Sequence, residues 1–592
     1  MKTLLQLLFL SLAIAAQAQV IPASNRVSWD NAGCHFAFPE PQLTANVMAF
    51  GAHADGVNDD VAAITNAIAS LNGHYGVVYL PSGTYLMLST IDLPDSVIIR
   101  GAGADSTFLK INSTVNGFTS CGNITGTFTK ILSGFNKESQ KITVANCALF
   151  STGNDVEMHE DNGSWDTSPA TWAVQVVGQI SKVTNIIGDT LFLEDKLRID
   201  FDTSLNLEIQ KIIPATAISI ENLNIERTDT STSCSAYNID FVYAKNCRVK
   251  CIESNKSEGS HCMIYLSSHI DVSGSYFHDA YKYDGGGTRG YGVTLDQHSG
   301  LCLITNNVFR HLRHAMMTKA GANGNVFAYN YSREVYRNGA GEFPTDYAGD
   351  IQLHGHYSFA NLFEGNIVQN LQIDNTWGPS GPYNTFFRNR IEHYGIYMTT
   401  TLTNNSNFVG NETIGSFPYG FYTLTGTGNF QYGNNINGTV TPAGTTPLND
   451  TSYFYMAEPP FWNITNNWPT IGISNALNSG TIPAEARYLA GFTTACSDTV
   501  VTGITKNEAA VSIKINPNPA NDFIVVEINS CKTARAVMTI SDPQGKLIME
   551  FKMDIQNGNN EKTINVTNLA KGIYFIKATT DFGSCSQKLI VN

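Results

Sequence analysis

Ionisable side chains recur at matching offsets in four successive segments between residues 294 and 377. Asp296 and His298 lie in GVTLDQH, Lys319 in AMMTKAG, Asp350, His354 and His356 in DIQLHGH, and Asp374 with Trp377 in LQIDNTWG. The next segment, IYMTTT, carries no charge. Arg310 and Arg313 stand just ahead of Lys319. This set suits elimination on a sugar acid, which needs a base for the C5 proton, a cation for the carboxylate and help for the leaving oxygen. Lys319, His354 and His356 are the candidate bases, because an imidazole or a lysine of lowered pKa takes a proton near neutrality. Arg310 and Arg313 match the carboxylate, which a guanidinium grips through two parallel hydrogen bonds. Asp296, Asp350 and Asp374 are hard oxygen donors of the kind Ca²⁺ prefers. Asp296, His298, Asp374 and Trp377 are the candidate substrate contacts, the indole offering a flat apolar face to a sugar ring. Two carboxyls astride a glycosidic bond would instead hydrolyse it, and Asp296 with Asp374 or Asp350 could form that pair. Any one of these residues is more ordinary as a turn or ladder partner, so the clustering is the signal.

The elements that must position them show in a repeat. An apolar residue stands three positions before an Asn in LITN (303–306), VFAYN (326–330), LFEGN (362–366), FFRN (386–389) and FVGN (408–411). Looser copies end at Asn222, Asn246 and Ser275, giving successive separations of 24, 29, 31, 24, 36, 23 and 22 residues. A period in the low twenties around a recurrent Asn predicts the coils of a parallel β-helix, with the Asn side chains stacked into an internal ladder. Equivalent offsets in neighbouring coils then lie roughly 4.8 Å apart, which brings the ionisable groups of residues 294–377 within about 10–15 Å. The coils are expected from about residue 216 to 470, with insertions at 281–292 and 333–350.

The bulk of the chain agrees. Of its 592 residues only 15% are charged and 50 are Gly, which suits a β-rich, turn-rich exported protein. A net charge of −14 argues against a general nucleic-acid or anionic-membrane binder. Residues 1–18 read as a signal peptide, with Lys2 before an apolar run and Ala16-Gln17-Ala18 before the cut. No later run is long and apolar enough to span a membrane, so the mature chain is expected to have no membrane span. The eleven Cys lack paired metal spacing; Cys531 and Cys585 are a candidate pair in the last domain, and the odd count leaves a thiol over.

Residues 19–47 read as a connecting segment and 48–494 as the β-helix, with a β-excursion near 112–215 that includes a hairpin turning at Gly188-Asp189. A linker over 495–512 leads to a C-terminal domain over 513–592 whose alternating strands read as a small β-sandwich. After residue 47 come Phe50-Gly51-Ala52, Asp55-Gly56, Asp59-Asp60, Ala63-Ile64, Pro81-x-Gly83-x-Tyr85 and Arg100-Gly101-Ala102-Gly103. Asp59 or Asp60 can cap a helix carrying Val61, Ile64, Ile68 and Leu71. This order resembles the opening module of the pectate-lyase superfamily, shared by β-helical lyases, hydrolases and phage tailspikes. The resemblance implies an all-β fold, a right-handed pectin-lyase-like parallel β-helix, and structural rather than catalytic roles for these aspartates. In that family an Arg or Lys base working with Ca²⁺ is common. No active-site motif of the family stands in this chain, so no catalytic residue is transferred. The polygalacturonase-type hydrolases show Asn-Thr-Asp, Asp-Asp and Gly-His-Gly; here His354-Gly355-His356 has no Asn-Thr-Asp beside it, which weakens the hydrolase reading.

The C-terminal residues Asn516-Pro517-Asn518-Pro519, Asp542, Gly545-Lys546, Leu569-Ala570, Gly572-Ile573-Tyr574 and Lys588-Leu589-Ile590-Val591 resemble the type A sorting domain of the type IX secretion system of Bacteroidetes-type bacteria. That resemblance implies the type IX machinery as a partner and release from the cell or attachment to its surface. The leading expectation is a secreted polysaccharide lyase acting on a uronic-acid glycan. A glycoside hydrolase and a non-catalytic glycan-binding or adhesin-like surface protein are the alternatives.

Overall fold

The computed structural model describes residues 19–229, 236–337, 348–399, 401–415, 417–496, 511–530, 532–542, 546–580 and 583–592. The expected signal peptide, most of the expected linker and the candidate pair Cys531 and Cys585 lie outside the described residues. The chain divides into two compact units, Met1–Asp498 and Thr499–Asn592.

The first unit is a parallel β-helix with three faces. On the first face, Gly76–Leu80, Val97–Gly101, Ser219–Glu221, Ala244–Lys250, Ser268–Ser273, Leu303–Thr305, Val326–Ala328, Leu362–Glu364, Thr385–Phe387, Asn407–Val409 and Phe430–Tyr432 pair in that order. The second face holds strands such as Val308–Arg310 and Tyr331–Arg333, and the third holds Tyr291–Asp296, His314–Thr318 and Ile351–Leu353. Ile367–Ile373 runs through both, pairing with Tyr331 on one side and with Ile351–Leu353 on the other. Because the strands are parallel and in register, like residues sit above one another. Phe327, Phe363, Phe386 and Phe408 are fully buried partners that stack at ring separations of 4.8, 5.3 and 5.0 Å.

The Asn repeat forms two ladders. In one, Asn307, Asn330, Asn366, Asn389, Asn411 and Asn434 follow Ser275. Each bond pattern is complete. Asn330 donates its backbone N–H and its Nδ2 to Asn366 Oδ1 (both 3.0 Å), sends Nδ2 also to Ile304 O (2.8 Å), and accepts from Asn307 at its own Oδ1. The second ladder, Asn325–Asn361–Asn384, lies five residues upstream in each coil.

Three expected members are corrected. Asn306 is one residue out of register: its φ is +55°, and its Oδ1 and carbonyl accept from Arg487. Asn222 (φ +57°) is likewise at a bend, and Asn246 (φ +56°) is a left-handed kink within the strand Ala244–Lys250, accepting from His35 N. Asn tolerates the left-handed region better than most residues, so it recurs both at the turn and at the ladder position beside it.

Ladder separations are 32, 23, 36, 23, 22 and 23 residues, so the two long coils carry the two insertions. Paired strands end at Thr439–Thr441, earlier than residue 470. The described residues after them, 442–496, form a strap that returns along the turns between the first and second faces. Ser452 Oγ and Tyr453 N donate to the buried Glu364 carboxylate, Arg388 donates to Asp450 O and Ile471 O, Arg487 reaches Asn306, and Cys496 is disulfide-bonded to Cys251.

At the other end, the helix Val61–Ser70 packs Ile64, Ala67 and Ile68 over the first coil. Asp60 stands at its N-cap, but its carboxylate accepts from His53 N and Leu86 N rather than from the helix. Asp59 accepts from Val61 N and Leu88 N. Both aspartates therefore tie the opening module together. The excursion is a seven-stranded antiparallel sheet that contains the hairpin Val177–Ile187/Thr190–Leu193. The segment 19–47 is docked along the helix, Trp29 Nε1 donating to Ala360 O and Cys34 N to Asp271.

The second unit is a β-sandwich of a three-stranded and a four-stranded antiparallel sheet around Ile524, Val526, Met538, Ile540 and Ile576.

Replacing Asn330 or Asn366 by Leu leaves neighbouring buried amide groups without partners. Each variant is expected to lose about 1–3 kcal/mol, read as a lowered melting temperature, and unchanged melting in both would contradict the ladder.

Candidate active site

On the third face the buried residues Leu295, Thr318, Leu353, Ile373 and Met398 are successive register partners. The residue after each therefore forms a file of its own at the strand ends: Asp296, Lys319, His354, Asp374 and Thr399. Tyr265 precedes Asp296 as its direct partner. Two bases stand between two carboxylates in the file, and each base pairs with the carboxylate next to it. Lys319 Nζ lies 3.0 Å from Asp296 Oδ2, and His354 Nδ1 lies 2.5 Å from Asp374 Oδ2. Asp374 is held by two further donors, Gln352 Nε2 at 2.9 Å and Thr376 N at 3.1 Å. Gly355, between His354 and His356, adopts φ +77°, and a side chain there would meet Trp377 O at 2.8 Å. The sharp turn after His354 thus requires glycine and lets the Trp377 loop close against it.

A cleft of about 610 Å³ opens over this file. Its floor is Tyr265, Asp296, Lys319 and His354, with Trp377 at one end. Tyr291, Arg313 and the glycines of the 281–292 insertion form one wall, while Thr171, Trp172 and Val174 of the excursion form the roof. The Trp172 ring lies 4.8 Å from Lys319 Nζ and meets the Trp377 ring edge-on at 5.4 Å. Arg313 packs on Tyr291 and donates Nη1 to Asp284 O and Gly287 O, so it also braces the insertion. Burial pushes the Tyr265 phenol up to about 12 and raises Tyr291 as well, which keeps both protonated as donors.

The roof is latched by residues next to the file. Gln297 Nε2 donates to Val174 O, and His298 holds Gln175 O at 2.6 Å through Nε2. The other His298 nitrogen lies 2.9 Å from Glu157, which also accepts from Gln210. Burial opposes charge on Glu157, but His298 and Gln210 outweigh it and lower its pKa. Gly178 permits this approach, since a side chain there would meet His298 Nε2 at 2.5 Å.

The structure therefore sorts the expected residues. It brings Asp296, Lys319, His354, Arg313 and Trp377 to the cleft, with Asp374 behind His354. It does not bring Arg310, which is paired with Glu334 (2.8 Å) on the second face. His298 is corrected from a substrate contact to a latch of the roof. His356 is corrected from a candidate base to a fully buried ring packed between Trp172, Trp377 and Asp166, where burial lowers its pKa. Asp350 is buried and accepts from Ser332 Oγ, Gln369 N and Asn370 N, so it is not an open ligand. With Asp296 and Asp374 three coil steps apart, roughly 14 Å, the three carboxylates do not converge on one cation. The compact donor group among the described residues lies elsewhere, at Glu194, Asp195 and His269, where Lys245 already reaches Glu194 at 3.3 Å.

Sequence reasoning missed Tyr265, which aligning YLSSH (265–269) with DQHSG (296–300) could have found. It also missed Trp172, for which no local signal exists.

Residues 44–127 match the family model described as rhamnogalacturonase A/epimerase, pectate lyase-like, and residues 514–592 match the secretion system C-terminal sorting domain. A 75-residue stretch is 36% identical to the pre-neck appendage protein of Bacillus phage phi29, covering 12% of this chain and 8% of that protein. The chain thus spans under a tenth of the curated relatives it matches. The tailspike gp61 of Pseudomonas phage phi297 is 14% identical, over 66% of this chain and 65% of that one, with a TM-score of 0.47. An exopolygalacturonase from Thermotoga maritima is 10% identical over 68% and 93%, with a TM-score of 0.30. The mannuronan C-5 epimerase AlgE6 A-module of Azotobacter vinelandii is 15% identical over 65% and 98%, with a TM-score of 0.25. The chain is a pectate-lyase-like parallel β-helix that ends in a sorting domain, the address for type IX export to the cell surface or beyond. Among the described residues no helix is long and apolar enough to cross a membrane.

His298→Ala leaves the Glu157 carboxylate buried without its partner and is expected to cost about 3–5 kcal/mol in denaturant unfolding. His354→Ala, at the cleft surface and with Asp374 still held by Gln352 Nε2 and Thr376 N, is expected to lose less stability. Equal losses in the two variants would contradict the separation of latch from site.

Proposed function

We propose that this chain is a secreted polysaccharide lyase that cleaves a uronic-acid glycan by β-elimination beneath Trp172. The observation that carries the reading is the adjacency of Lys319 and His354 on neighbouring coils, each backed by one carboxylate. A carboxylate only accepts, so the His354 proton sits on Nδ1 facing Asp374, and the Nε2 lone pair is left as the base. Lys319 supplies positive charge for the substrate carboxylate and for the negative charge that grows on it as the C5 proton leaves. Tyr265 and Tyr291, held protonated by burial, are the cleft's proton donors for the leaving oxygen. Arg313 adds a second positive group at the wall.

The lyase reading outweighs hydrolysis for a geometric reason. A glycosidase needs its two carboxyls about 5–5.5 Å apart, or about 6.5–9.5 Å apart with a water between. Asp296 and Asp374 are separated by roughly 14 Å of coil spacing, and each is already paired with a base of the file. A purely binding surface has no need of a histidine oriented by a buried carboxylate. Ca²⁺ bridging between a substrate carboxylate and Asp296 is compatible with this arrangement, and chelator treatment of the digestion tests it.

Incubation with polygalacturonate and with alginate is expected to release unsaturated uronates, seen as new ultraviolet absorbance. Reducing ends without that absorbance would favour hydrolysis, and binding without product would favour an adhesin. His354→Ala is expected to lower kcat/KM by roughly 10²–10⁴-fold, with Lys319→Ala similarly impaired. Turnover near wild type in both variants would remove the assignment.

A further inference from the structure

The cleft is shut at one end. The excursion loop that carries Trp172 comes down on the turn after His354 and on the Trp377 loop. Trp165 packs on Tyr357 at 4.7 Å between ring centres, and Asp166 lies 3.8 Å from His356 Nε2. The Trp172 ring meets those of His356 and Trp377 edge-on at 5.0 and 5.4 Å. Backbone groups seal the same margin. His356 N donates to Trp377 O at 3.1 Å, and Gly321 (φ +74°) leaves no room for a side chain against Val176 O. Each of these contacts joins the roof to the floor, or the floor to the Trp377 loop.

The floor ends at the same place. Asp296, Lys319 and His354 line the cleft, whereas Asp374, next in the file, is only 7% exposed behind His354. Gln352, two residues before His354 and so on the same side of the strand, is fully buried. A polymer lying along the file would have to pass through the Trp172–Trp377 contact to continue. One coil step, about 5 Å, separates the His354 coil from the coil that carries Asp374 and Trp377. Only a short stub of sugar chain therefore fits beyond His354. In the other direction the floor runs back to Tyr265, three steps or roughly 14 Å away. A cleft of about 610 Å³ has the size that encloses a small ligand rather than one that lets a polymer run through.

We infer that the cleft is a blind pocket for a chain end of the glycan, closed by Trp172 against Trp377, so that short products leave polymer ends. The inference rests on the lyase reading for the glycan and its cleavage, and one arm of its test needs no turnover. In that arm the full-length His354→Ala chain is titrated with polygalacturonate and alginate fractions of different mean length. The polymer mass needed for saturation is expected to rise in proportion to mean length, because only ends bind, and short oligouronates should displace the polymer completely. In the second arm the wild-type chain digests the same polymers while absorbance, viscosity and product size are followed together. Absorbance is expected to rise while viscosity hardly falls, with one short product size from the earliest times. Trp377→Ala, its folding checked by melting, is expected to release a spread of sizes and to lower viscosity earlier. Trp377→Phe, which keeps a ring at the barrier, should give the wild-type product. The blind pocket is overturned if binding follows polymer mass rather than the number of ends. It is equally overturned if the wild-type chain gives mixed sizes with an early fall in viscosity, or if folded Trp377→Ala leaves the product size unchanged. End-limited binding with no unsaturated product would uphold the pocket and remove only the lyase reading.

Discussion

Everything in the first unit depends on one constraint: parallel strands in register, with each coil's side chain directly above its counterpart. Within a ladder each buried Asn is satisfied in large part by the Asn of the next coil, because each amide gives and takes within its own file. Asn330 shows the logic, donating to Asn366 and to Ile304 O while accepting from Asn307. One misplaced coil would leave several buried amide groups unpaired at once. The register is thus held by polar groups, while the stacked phenylalanines between the two ladders supply the apolar burial.

The same constraint shapes the site. A file of outward residues at strand ends has a fixed step, so an acid and a base on adjacent coils pair by geometry alone. Lys319 meets Asp296 and His354 meets Asp374 because they are one coil apart. Like charges in adjacent coils would repel at the same distance. The step also sets what the file cannot do: two of its acids cannot flank one bond when a base stands on each coil between them. Specialisation then comes from what is added to the coils. The 32- and 36-residue coils bring the insertions, and the excursion brings Trp172 over the floor.

How the roof is held explains why several polar residues near the file do no chemistry. His298 and Gln297 follow Asp296 in sequence, yet both are used to grip carbonyls of the excursion. His356 follows His354 by two residues and is buried behind two indoles. In each case the chain turns after the file residue, so the next side chains are engaged in holding or packing the roof.

Coil period, the Asn files, the ionisable stretch of residues 294–377, the excursion's hairpin and the C-terminal sandwich were legible in the sequence, because each is a local or strictly periodic pattern. The offset ruler found Lys319 and His354 as neighbours. It erred by one residue at Asn306, since Asn suits the turn and the ladder alike, and it could not separate His354 from His356 or Arg313 from Arg310, whose directions depend on turns of a single residue. Trp172 was out of its reach entirely: it meets Lys319 across 147 positions of chain, with no periodicity linking the two. The sequence by itself determined the coils and the file of charges, because repetition at the strand spacing is written residue by residue. Only the tertiary structure decided which of those charges face a cleft, because that cleft exists only where the excursion folds back over the coils and is latched there by buried pairs.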